Sequence, residues 1–165
     1  MRHTLTAILI PLMVYGGVAS AGPLEYGLAA YDRADYATAL KLFQPLAEEG
    51  NAAAQYHLGL MYYLGQGVAR DYKEAVKWYR LAAEQGYAVA QHNLGLIYKY
   101  GQGIARDYVR AYMWIDLAAS VLTGDEANQA ASDRELVAQR MTPAQIAEAK
   151  EMARKCDAAN FKQCD

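Results

Sequence analysis

The chain has 165 residues, 54% of them hydrophobic and 21% charged, with a formal net charge of −2. That balance fits one globular unit of ordinary size. No block of like charge supplies the concentrated basic face that phosphates require, so nucleic acid is not expected among its partners.

The first predicted element is a signal peptide over residues 1–21. Met1-Arg2-His3 gives a short positive start, and Thr4 to Val18 is uncharged and mostly apolar. Ala19-Ser20-Ala21 then puts small residues where a signal peptidase reads them. The apolar run is shorter than the roughly 20 residues of a bilayer span, and Pro11, Gly16 and Gly17 interrupt it. Cleavage before Gly22 is expected, with no membrane insertion afterwards and no cysteine beside the site for a lipid anchor. Export would place the mature chain in the periplasm or outside the cell.

The next segments are best read by sliding the chain against itself, since internal repeats decide the architecture. At an offset of 36 residues, Ala54-Gln55 recurs as Ala90-Gln91 and Leu58-Gly59-Leu60 as Leu94-Gly95-Leu96. Gly65-Gln66-Gly67 recurs as Gly101-Gln102-Gly103, Ala69-Arg70-Asp71-Tyr72 as Ala105-Arg106-Asp107-Tyr108, and Trp78 as Trp114. Residues 51–86 and 87–122 are therefore two copies of one unit. Each reads as a helical hairpin: Ala54, Leu58, Met61 and Tyr62 fall at helical spacing, and so do Ala75, Trp78, Tyr79 and Ala82. The glycines interrupt the pattern where the chain must turn. Asp71 is placed to cap the second helix, with Glu74 completing a capping box; Asp107 repeats the cap alone. The small residues Gly59, Ala75, Gly95 and Ala111 are expected where the helices of each hairpin approach closely.

Residues 22–50 are a divergent first hairpin. Gly27 takes the place of Gly59, while Tyr36, Ala39, Phe43, Leu46, Ala47 and Gly50 match a second helix. This hairpin lacks four residues of the glycine loop and turns through Asp32-Arg33-Ala34-Asp35. Residues 123–165 are expected to cap the array with two helices and a tail, one helix over Asn128 to Arg140 and one opened by the Thr142-Pro143-Ala144-Gln145 start signal. Ile146, Ala149, Met152 and Ala153 give the last helix its apolar stripe. Cys156 and Cys164 lie close together, yet on one continuous helix they would be about 12 Å apart at about 1.5 Å per residue, too far to join. A disulfide requires the helix to end between them; otherwise they are two free thiols. The oxidising compartment favours the bridge.

The pattern Ala-x3-Leu-Gly-x2-Tyr-x2-Gly-x-Gly-Val/Ile-x2-Asp-x3-Ala-x2-Trp-Tyr-x2-Ala-Ala-x2-Gly resembles the Sel-1-like repeat, a longer relative of the tetratricopeptide repeat. Ala54 to Gly86 fits throughout. Ala90 to Ala119 fits with Ile104 for Val and Ile115 for Tyr, and Leu122 stands where the closing glycine belongs. The resemblance implies an all-α, right-handed solenoid of helical hairpins with a C-terminal capping helix pair. It also implies a module that binds another protein or peptide rather than an enzyme. Some exported relatives are β-lactamase-like or penicillin-binding, but their repeats each carry a cysteine pair, and neither unit here has one. Binding of peptidoglycan or of its processing enzymes is the remaining alternative.

No motif for catalysis, a metal or a cofactor is present: the Gly-Gln-Gly loops follow a helix rather than a strand and lack the lysine of a phosphate loop. His57 and His92 occupy different repeat positions. In tetratricopeptide-like arrays the first helix of each hairpin lines the concave face, and Leu58, Gly59 and Tyr62 serve packing. Tyr56, Leu60 and Tyr63 are then groove candidates, followed one period later by His92, Leu96 and Lys99. The tyrosines offer apolar area with a hydroxyl; His92 and Lys99 offer donors to a carboxylate or carbonyl of the partner.

Overall fold

The computed structural model describes residues 22–162 and 164, so the signal peptide expected over residues 1–21 lies outside the described residues. The first hairpin consists of α1 (Pro23–Asp32) and α2 (Tyr36–Glu48), joined by a turn in which Ala34 takes a positive φ of 60°. Asp35 caps α2 by accepting from the Thr38 backbone N–H. The second hairpin is α3 (Ala52–Leu64) and α4 (Tyr72–Ala83); the third is α5 (Ala88–Tyr100) and α6 (Tyr108–Val121). Each hairpin packs on the next, α2 against α3 and α4 against α5.

The repeated residues explain why this stacking is regular. Gln55 and Gln91 are buried near each second-hairpin and third-hairpin entry, where their side-chain amides donate to the carbonyls of Ala47 and Ala83 in the preceding hairpin at 3.0 and 3.1 Å. Gly59 and Gly95 are the close-approach points. A Cβ on Gly95 would stand 2.5 Å from Ile115 Cγ1 and 3.0 Å from the Ala111 carbonyl; one on Gly59 would meet the Tyr79 ring at 2.9 Å. Ala75 and Ala111 are fully buried opposite them.

The glycine loops also close on the body. Gly67 has a φ of +72° and lies so near Tyr36 that a Cβ would be 2.9 Å from that side chain, and Gly103 has the same relation to Tyr72. Asp71 and Asp107 cap α4 and α6 as expected. The capping box at Asp71 does not form. Its backbone N–H donates back to the Tyr62 carbonyl at 3.0 Å, closing the loop, and Glu74 instead reaches Lys77. Arg70 and Arg106 lie over the rings of Tyr72 and Tyr108.

The C-terminal segment supplies α7 (Gly124–Ala138) and α8 (Pro143–Ala158). α7 begins four residues earlier than the sequence pattern suggests, one period after the start of α5, and so takes the place of a further first helix. α8 has the full Thr142/Gln145 capping box. It packs chiefly along α6, where Ala149, Ala153 and Cys156 are buried. The helix ends at Ala158, and Asn160 and Phe161 adopt left-handed φ values of 50° and 62°. The tail thereby folds back to form the Cys156–Cys164 disulfide, with Cα atoms 4.7 Å apart. Among the described residues no helix is long and apolar enough to cross a membrane.

Candidate functional site

The six groove candidates lie on α3 and α5, but the structure sorts them into three kinds. Leu60, Tyr63 and Leu96 line a cleft of about 170 Å3 between the two helices, completed by Tyr79, Asn93 and Ile97. Tyr56 packs within an aromatic cluster, its ring centroid 5.0 Å from His57, 5.8 Å from Tyr79 and 5.3 Å from Tyr87. Burial raises the phenol pKa of Tyr56 and of Tyr79, against the hydrogen bonding of both to Asn93. Both stay neutral over the physiological range.

His92 and Lys99 already have the carboxylate that the sequence reading assigned to a partner. It is Asp133 of α7. Lys99 Nζ donates to Asp133 Oδ1 at 2.9 Å, and His92 Nε2 lies 3.1 Å from Oδ2. Gln129 Nε2 adds a third bond at 3.0 Å. Burial alone would raise the Asp133 pKa, but these hydrogen bonds and the Lys99 charge outweigh it and hold the carboxyl below its usual value. An ionised carboxylate only accepts, so His92 Nε2 is the donor in this contact. Lys99 is likewise disfavoured as a cation by burial, yet Asp133 and Tyr100 more than restore it.

Tyr63 is also tied down. Its hydroxyl donates to Gln102 Oε1 of the next glycine loop at 3.0 Å, as Tyr31 does to Gln66 at 2.5 Å one hairpin earlier. Tyr31, Tyr63 and Lys99 hold equivalent positions, so each grips whatever follows its hairpin. Two are followed by a loop glutamine and one by the aspartate of α7. The change from tyrosine to lysine thus tracks a change of neighbour within the chain.

The Sel1 repeat model matches residues 21–51, 52–87 and 88–120, which is more than half of the sequence. The chain belongs to the Sel1 repeat family. It is similar to a protective antigen of uropathogenic Escherichia coli strains that displays an SLR fold, with a TM-score of 0.76 and 30% identity over 84% of this chain and 31% of that one. A Sel1 repeat protein from Oxalobacter formigenes matches with a TM-score of 0.58 and 31% identity, covering 67% of this chain and 86% of the other. An uncharacterized protein of Neisseria meningitidis serogroup B is 50% identical over 48 residues, 29% of this chain and 10% of its own length. The chain thus spans about a tenth of that curated relative. The fold is the right-handed solenoid of Sel1 hairpins, a scaffold suited in general to protein–protein interaction.

Within this Sel1 array, sequence reasoning missed Asp133, Gln129 and Asn93. Asn93 could have been found: it aligns with His57, and both point from a first helix into an aromatic setting. His57 stacks on Phe43 with centroids 5.1 Å apart, and burial lowers its pKa. Asp133 left no such trace, because it sits on a helix outside the recognisable repeats.

Proposed function

We propose that this Sel1 protein is an exported, periplasmic adaptor or regulator that holds a protein or peptide on its concave face, at the cleft between α3 and α5. The observation that carries the reading is the cleft itself. Leu60, Tyr63 and Leu96 present apolar area around the Asn93 amide, which is the mix of anchor and orienting polar group that recognition sites use. Tyr56 borders the cleft from the aromatic cluster. His92 and Lys99 contribute by holding α7 against α5, which fixes one wall of the face. Export is supported by the leader pattern and by the disulfide, a bond that persists in oxidising compartments. The absence of cysteine pairs from both full units argues against the β-lactamase-like reading.

The test is photo-cross-linking in intact cells with a benzophenone side chain at position 60, compared with exposed position 73 on α4. A discrete adduct from 60 alone, whose protein component then binds the purified chain and loses affinity on Leu60→Arg, is the expected result. Equal labelling from both positions refutes the cleft assignment. Mass spectrometry of the mature N-terminus checks export: Gly22 is expected first, and a retained Met1 in envelope fractions contradicts it.

A further inference from the structure

Among the described residues, the Sel1 hairpins leave one seat uncovered at the end of the array. In the first two hairpins the surface around Tyr36 and Tyr72 is covered by the glycine loop of the following unit, with Gly67 on Tyr36 and Gly103 on Tyr72. Gln66 and Gln102 lock those loops to Tyr31 and Tyr63. The equivalent surface of the third hairpin is Lys99, Tyr100, Arg106 and Tyr108. A fourth loop would cover it, but α7 runs into α8 through Gln139, Arg140, Met141 and Thr142, without the Gly-Gln-Gly sequence. What remains is a cavity of about 460 Å3 lined by those four residues together with Leu136, Gln139 and Arg140.

The chemistry of this vacancy is specific. Among the described residues three cations line it and no acid does. Lys99 is neutralised by Asp133. Arg106 lies over Tyr108 with its guanidinium carbon 5.4 Å from the ring centroid, and no ion pair among the described residues involves Arg106 or Arg140. Tyr100 is 60% exposed and Leu136 48% exposed, so the walls offer apolar area as well. Stacked guanidinium groups keep their forked donors for carboxylates.

We infer that the vacant loop seat binds an acidic turn of a partner protein, its carboxylates on Arg106 and Arg140 and its apolar side chain between Tyr100 and Leu136. The occupant replaces, in trans, the loop that a fourth unit would have supplied. The inference rests on the reading of this protein as an interaction module, and it adds a second contact separate from the cleft.

The experiment titrates the isotope-labelled mature chain with acetyl-Tyr-Asp-Glu-Leu-amide and follows backbone amide shifts by NMR. Saturable shifts are expected at Tyr100, Arg106, Tyr108 and Arg140, weakening as salt is raised. The neutral isostere acetyl-Tyr-Asn-Gln-Leu-amide should bind about ten-fold more weakly, as should the acidic peptide to the Arg106→Gln, Arg140→Gln double variant, since two partly solvated charge-assisted contacts are lost. Both arginines are at the surface, and an otherwise unchanged spectrum confirms that the variant is folded. Absence of saturable shifts, equal binding of the neutral peptide, or undiminished binding by the double variant overturns the inference. So does inorganic phosphate reproducing the same shifts at equal affinity, which would make the seat a simple anion site. Failure here with cross-linking at position 60 intact removes the seat alone; the opposite outcome removes the cleft alone.

Discussion

Replacing Asp133 with alanine should release α7 from the Sel1 array. The substitution removes one acceptor shared by Lys99, His92 and Gln129 at 2.9, 3.1 and 3.0 Å. The side chains of Asp133 and Lys99 are only 9% and 13% exposed, so the change strands an ammonium with little water. Removing one partner of a fully buried pair costs about 3 to 5 kcal/mol. Lys99 stands near the edge, and its flexible stem can carry the charge outward, so a loss of about 2 to 3 kcal/mol is expected. For a domain of this size that is a fall in Tm of about 6 to 9 °C. Urea denaturation gives the free energy, and hydrogen exchange gives the location: α7 amides should exchange faster while α1 to α4 keep their protection. Adding Lys99→Met to Asp133→Leu should recover part of the loss, because no charge is then stranded. Unchanged stability and unchanged α7 exchange in Asp133→Ala would refute the claim that this carboxylate holds the helix.

The same carboxylate makes a pH prediction. Its pKa is depressed in the folded chain, so its contribution is present above the unfolded value of about 3.9 and is lost as pH falls through the lower folded value. α7 protection in hydrogen exchange should therefore be constant near neutrality and fall only below about pH 4; loss of protection between about pH 5 and 7 would contradict it. Gly95→Ala should destabilise by about 1 to 3 kcal/mol through overpacking, since its Cβ would meet Ile115 at 2.5 Å, and an unchanged midpoint in urea would show that the hairpin can open at no cost. Ala75→Leu, at a fully buried position, should behave alike. Thiol labelling of unreduced, denatured protein should find no reactive cysteine, and reduction should cost about 2 to 3 kcal/mol in the chain-entropy account of so short a loop; labelling of both thiols would remove the bridge.

Much of the fold was legible because its causes are local or periodic. The 36-residue offset identifies equivalent positions, helical spacing picks out the buried stripes, and Asp71, Asp107 and Thr142 mark helix starts by the hydrogen bonds their side chains accept. The close approach at Gly59 and Gly95 follows from small residues recurring where large ones would collide. Even the bridge was constrained by helix geometry, which allowed Cys156 and Cys164 to meet only if the chain turned between them.

What tertiary structure decided lies where periodicity stops. α7 has few buried positions, Ala130, Asp133 and Val137, and a helix so polar carries no stripe from which to read its docking face. Its start at Gly124 and its packing against α6 follow from the apolar end of the third hairpin needing cover. The partners of His92 and Lys99 are 41 and 34 residues away along the chain. No spacing rule connects them. Variation from Tyr63 to Lys99 reads in sequence as freedom from the fold; in space it reflects a loop glutamine after one hairpin and a helix aspartate after the next. A repeated sequence specifies contacts between equivalent units, since each contact recurs at the period, whereas the end of an array makes its contacts once. There the physical requirement to satisfy a buried ammonium and cover an apolar face is visible only when the chain is folded.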